Sequence, residues 1–127
     1  MMRRAFVAGL LLAVSGCWAG QSLPSSVVGE WDDTLAGCLD PDSLNGVTIT
    51  GSRVQFYEAG GDVRSITRRE GGSVEAMVDW ADVNVEGPDG LPQAASKSIR
   101  LTPSADGTRL TMEMDGTSWT AVRCPAT

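Results

Sequence analysis

From Val27 to the C-terminus the chain alternates apolar and polar residues in short runs, each stopped by a glycine- or proline-containing turn. Alternation with period two places one set of side chains on each face of a strand, whereas an amphipathic helix needs a repeat near 3.6, which is absent here. Val47 and Ile49 alternate with threonines, and Val54 and Phe56 alternate with Arg53, Gln55 and Tyr57. Val74, Ala76, Val78 and Trp80 share a face opposite Glu75, Met77 and Asp79. Leu110, Met112 and Met114 oppose Thr111, Glu113 and Asp115, while Trp119 and Ala121 oppose Thr120, Val122 and Cys124. Between the runs lie Gly60-Gly61-Asp62, Gly71-Gly72, Gly87-Pro88-Asp89-Gly90 and Asp106-Gly107, all hairpin material. The pattern predicts an all-β domain: a small antiparallel up-and-down sheet of about seven to nine strands, closed into a barrel that leaves no edge.

The start of the chain has a different character. Arg3 and Arg4 form a basic start, Ala5 to Val14 an apolar run, and Val14-Ser15-Gly16-Cys17 a small-residue processing site. That order reads as a secretory signal, and the run is shorter than the roughly 20 apolar residues that cross a bilayer. Val14-Ser15-Gly16-Cys17 resembles a bacterial lipobox, which implies cleavage before Cys17 and attachment of acyl chains to it. A plain signal peptide cut after Ala19 or Gly20 is the alternative. The organisation expected is a signal peptide over 1–16, a lipidated Cys17 with a tether over 17–26, and a β-barrel domain over 27–127. In enteric lipoproteins an aspartate after the cysteine favours retention at the inner membrane. Trp18 stands there instead, so the resemblance implies an outer-membrane lipoprotein facing the periplasm, with a soluble periplasmic or secreted form as the alternative.

The chain has three cysteines. Lipidation of Cys17 leaves Cys38 and Cys124, and an exported chain favours a structural disulfide between them over a redox or metal pair. Their spacing fits no zinc pattern. The bond would join the loop after the first strand to the end of the last one.

Removing Arg3 and Arg4 with the signal leaves eight basic residues against sixteen acidic ones. A surface of that sign repels phosphate backbones, which excludes nucleic-acid binding, and a single lysine, Lys97, offers no polybasic patch for anionic lipid. Any charge steering would draw a basic partner. The chain contains no histidine, which excludes Ser-His-Asp and Cys-His nucleophilic sites and imidazole metal centres. Lys97 lies between Ser96 and Ser98, but neighbours along a strand point to opposite faces, which argues against a Ser-Lys dyad. No catalytic residue, metal site or cofactor is expected, and the reading is non-enzymatic. Asp40-Pro-Asp42-Ser-Leu-Asn45-Gly46 approaches a calcium loop, yet Gly51 stands where the bidentate glutamate belongs, so a turn or capping loop is expected. Asp82, Asn84 and Glu86 form a row opposite Val83 and Val85, with Asp79 and Asp89 near in sequence. Asp79, Asp82, Asn84 and Glu86 are the candidate interaction face, weighed against the solvated side of an edge strand.

Gly29-Glu30-Trp31 resembles the Gly-x-Trp that opens lipocalin barrels, where a late arginine packs across the tryptophan. On that resemblance Trp31 and Arg123 close the barrel, with the guanidinium stacked on the indole. The layout over most of the mature chain is similar to small uncharacterised bacterial lipoproteins: Gly-x-Trp, an early cysteine, a Val54-Gln-Phe56-Tyr57-Glu58 strand and a terminal Arg123-Cys124. Membrane-bound lysozyme inhibitors share the lipoprotein signal, small barrel and disulfide, although only Thr50-Gly51-Ser52 echoes their inhibitory loop. The expected function is a lipid-anchored envelope binding module whose partners are the membrane, through Cys17, and a basic envelope protein or a small apolar ligand. The alternatives are a lysozyme-type inhibitor and a structural envelope-assembly lipoprotein. A ligand pocket would be lined by Phe56, Trp80, Met112 and Met114, which are core residues first.

Overall fold

The alternating runs form eight strands in a computed structural model, which describes residues 21–87 and 89–126. They are β1 (Gly29–Asp32), β2 (Val47–Ile49), β3 (Arg53–Gln55), β4 (Ala59–Arg68), β5 (Val74–Glu86), β6 (Pro92–Pro103), β7 (Arg109–Met114) and β8 (Thr117–Arg123). Each strand pairs antiparallel with the next, and β1 pairs with β8, so the sheet is a closed barrel in sequence order. The signal segment, the lipobox and Cys17 lie outside the described residues.

Up-and-down order sends the connections β2–β3, β4–β5 and β6–β7, with both ends of the described chain, to one end of the barrel. That end is called the near end here, and the other connections leave from the far end. The interior is a packed core: Val54, Ala76, Val78, Leu110 and Met112 are fully buried on faces that the alternation predicts, and Ile99 and Leu101 of β6 are buried with them. Toward the far end Phe56 meets Trp80 at 5.4 Å and Trp119 at 5.9 Å between ring centroids. Gly61 faces Trp80 across the β4–β5 pair, where a Cβ would overlap the backbone of Asp79 and Trp80. The missing side chain there lets the two strands approach beneath the indole.

The near end is closed by the segment before β1. Leu23 and Val27 belong to the core cluster, and the Leu23 N–H donates to Gly51 O at 2.9 Å. The Gln21 side chain accepts from the Ile66 N–H at 3.3 Å. Within the stretch read as a tether, Gln21 and Leu23 thus contact the barrel. Leu23, one apolar residue among polar ones, fills the barrel opening and fixes the residues around it.

Trp31 is buried, with its Nε1 donating to Val27 O at 3.0 Å. The Arg123 guanidinium carbon lies 4.3 Å from the Trp31 ring. The same guanidinium donates to Gly107 O, Val28 O and Ser26 O, each at 2.8 Å. Gly29 has φ +144°, and a Cβ there would lie 2.7 Å from an Arg123 nitrogen, which explains the glycine two residues before the tryptophan.

The β1–β2 connection carries a four-residue helix, α1 (Leu35–Cys38), whose N-cap Thr34 accepts from the Gly37 N–H at 3.0 Å. Cys124 follows β8 on the side facing out of the barrel, so Cys38 meets it by folding the connection back along the outer wall. The Cys38–Cys124 disulfide is formed, with Cα atoms 5.4 Å apart across a separation of 86 residues. In the chain-entropy model a loop of that length corresponds to an upper figure of about 4.5 kcal/mol. Asp32 is buried beneath this connection, and its carboxylate accepts from the Asp33 N–H at 2.6 Å and the Ser43 hydroxyl at 2.8 Å.

Two consequences are measurable by thermal unfolding. Trp31→Ala removes the indole from the core and the surface on which Arg123 lies, so a loss of about 3 kcal/mol or more is expected. An unshifted melting temperature would contradict the closure described. In the β6–β7 turn the Asp106 carboxylate accepts from the Thr108 hydroxyl, the Thr108 N–H and the Ser104 hydroxyl, which lower its pKa from 3.8 to about 2. A depressed folded-state pKa gives stability that is complete above the unfolded value and lost as pH falls through the folded one. The melting-temperature gap between wild type and Asp106→Asn should therefore be full above about pH 4 and shrink toward pH 2. A gap independent of pH would assign the turn's stability to neutral hydrogen bonds.

Candidate interaction surface

The β5–β6 hairpin outgrows the barrel that holds it. β4 begins at Ala59, opposite Asp82, and β7 pairs with β6 only from Arg100 to Pro103. Residues 83–86 therefore project past β4 as an arm, turned with a Gly87 N–H to Leu91 O bond and Gly90 at φ +80°, while residues 94–98 stay paired to β5 over 77–81 and extend past the end of β7. The pairing of β5 and β6 is irregular between Ala81 and Glu86, close to where the arm leaves the barrel. Around the arm, Tyr57, Val83, Val85 and Leu91 are 61%, 58%, 47% and 61% exposed, a concentration of apolar surface at one end.

Asp82, Asn84 and Glu86 alternate with Val83 and Val85 along this arm, as read from the sequence. Asn84 is held by two contacts: its side chain bonds the Glu58 carboxylate, and its N–H donates to Asp82 Oδ1 at 2.8 Å. The Val83 N–H donates to Glu58 O at 3.0 Å. Glu58, from the β3–β4 turn, thus supports the base of the arm. Asp79 does not belong with the other three. It lies lower on the outer wall, where its carboxylate is 2.8 Å from Arg64 Nε. Along the regular ladder to β4, which runs to Asp82, Asp79 and Asp82 lie on opposite faces of the strand.

Charge is unevenly distributed along the barrel. Glu58, Asp82, Glu86, Asp89, Glu113 and Asp115 lie toward the far end, where Lys97 is 2.6 Å from Asp115 and Arg100 stands opposite Glu113. The arginines lie lower on the wall or at the near end. There Arg53 pairs with Asp62 at 2.9 Å, and Glu75 is bonded by Arg69 at 2.6 Å with Arg100 at 3.5 Å. The Arg69 hydrogen bond is the main cause holding the Glu75 carboxyl below its ordinary value.

The remaining sequence candidates resolve as structural parts. Lys97 turns to Asp115 rather than to Ser96 or Ser98. In the Asp40–Gly46 stretch, Asp40 accepts from the Asp42 N–H at 2.9 Å and Ser43 is committed to Asp32. No group of three or more Cys, Asp or Glu among the described residues is placed to hold a metal ion. Thr50-Gly51-Ser52 is the β2–β3 turn at the near end, tied to Leu23. Met112 is fully buried, while Phe56 and Met114 pack against the core from its margin.

No family model matches the chain, and neither a curated protein nor a solved structure matches it.

The acidic row serves no packing role in this geometry. Asp82→Asn and Glu86→Gln should each unfold within about 0.5 kcal/mol of wild type in urea, the range of surface substitutions. A larger loss would make the row part of the fold rather than a surface.

Proposed function

We propose that the protein is a non-enzymatic, lipid-anchored binding module of the bacterial envelope, held to the outer membrane through Cys17 and facing the periplasm. The observation that carries this reading is the opposition of the two ends. The chain enters the barrel at the near end, where Leu23 and Val27 are buried, and the projecting arm with its six surrounding carboxylates lies at the other. Cys17 precedes Gln21 by four residues, so a lipid on its thiol would keep Gln21 within about 14 Å of the acyl attachment point. The far end would then be turned from the bilayer toward the periplasm. Exposed apolar side chains ringed by carboxylates suit a basic protein, for which charge sets encounter and orientation while the apolar contacts set residence time.

Lysozyme is a suitable basic probe. The full chain carrying Cys17→Ser should bind it at low ionic strength, with affinity falling steeply as salt rises. The double variant Asp82→Asn/Glu86→Gln should bind about tenfold more weakly. Biolayer interferometry over a salt series reads both effects. Equal binding by wild type and double variant, or no binding at low salt, would remove the basic-partner reading.

A further inference from the structure

Strand β6 has one long stretch without a partner on its β7 side. Along β6 the ladder to β7 ends at Arg100↔Glu113, while the ladder to β5 continues through Ser98, Lys97, Ser96 and Ala95 to Ala94. Among the described residues, nothing bonds the backbone of 92–98 on the β7 side. The direction of its free groups follows from the hairpin below. The Ser104 N–H donates across to Arg109 O at 2.9 Å, and backbone groups in a strand alternate sides with each residue. Counting back in steps of two through the regular register, Ser98, Ser96 and Ala94 direct N–H and C=O outward. Lys97 and Ala95 direct theirs to β5. Pro92, at the strand's first position, has no N–H to offer.

Exposed edges are ordinarily guarded by bulges, prolines or projecting charges. Here Ala94, Ala95, Ser96 and Ser98 are small and exposed, and Lys97 reaches the β7–β8 turn, with its ammonium 2.6 Å from Asp115. From Ala94 to Ser96 the edge itself carries no side chain larger than serine. We propose that this edge accepts an extended, basic segment of a partner protein as an added strand. Main-chain hydrogen bonds would supply the docking, and the neighbouring Asp82, Glu86, Glu113 and Asp115 the charge preference. Charge decides against a second copy of this chain as the occupant, because edge-to-edge pairing would bring two acidic far ends together. The inference rests on the basic-partner reading and adds to it the mode of contact.

The test uses the full chain with Cys17→Ser and a fluorescein-labelled seven-residue peptide of alternating lysine and valine, followed by fluorescence anisotropy. Ser96→Pro removes an outward N–H while sparing every β5 bond, and edge strands tolerate proline at such positions. Ser96→Ala alters only the side chain. The expected result is binding by wild type and Ser96→Ala, with the Kd of Ser96→Pro raised about tenfold, and an unchanged melting temperature for both variants. A Ser96→Pro variant that fails to fold is replaced by N-methylation of the peptide on alternate residues, which should weaken binding to wild type equally. Peptide binding that neither change weakens overturns strand addition and leaves the charge reading in place. Binding of lysozyme without binding of the peptide has the same meaning. Self-association of wild type that Ser96→Pro abolishes would make the occupant a second copy and overturn the choice of partner.

Discussion

The fold depends on one cation placed over one ring. Arg123 lies on the face of Trp31 and gives its donors to three backbone carbonyls drawn from the entry segment and the β6–β7 turn. A guanidinium suits this position because its donors are planar and divergent while its face is weakly hydrated, so it can stack and bond at once. Through that residue the segment before β1, strand β8 and a distant hairpin are fixed to one another. The disulfide works beside it on the outside of the wall, where Cys124 is the next residue along. Inner stacking and outer covalent bond together close a seam in which β1 contributes only four residues.

With the near end closed, the far end is free to depart from regularity. The β5–β6 arm leaves the barrel through an irregular stretch of pairing, carries exposed valines and a leucine, and gathers like charges around itself. Each of these features costs stability or invites association, and none would survive easily at a position on which the core depended. The Phe56, Trp80 and Trp119 cluster separates the two regimes, apolar packing below and solvated arm above.

Much of this architecture is legible in the sequence because period two is a strong signal where one face is buried. The inward positions of β5, β7 and β8 follow directly from their alternation, and closure follows from the need to satisfy edges. Three features are not legible, each for a physical reason. Leu23 sits in a polar stretch with no period, so its burial depends on an opening that exists only once the barrel has formed. Asp32 reads as a surface carboxylate, and only the connection folded over it by the disulfide makes it a buried one. The acidic row 82, 84, 86 is read from the sequence alone, while Asp79 is bound to Arg64 lower on the wall. Glu58 meets the row at Asn84 from the β3–β4 turn, a contact that only the folded sheet brings about. The free edge from Ala94 to Ser98 is hidden for the same reason, since it arises from β7 stopping short and not from anything in β6.

The pairing of the first strand with the last constrains the order in which the chain can fold. Strand β1 finds one of its two neighbours only in residues 122 and 123. A chain emerging from its N-terminus can build the meander from β2 to β7 by local hairpins, but the seam waits for Val122 and Arg123 to arrive. Contacts so distant along the chain are slow to form, because loop closure must precede any gain from them. Residues 122–124 thus complete the seam. A product truncated before Arg123 would leave Trp31 uncovered and Cys38 as a free thiol, a species open to proteolysis and mispairing.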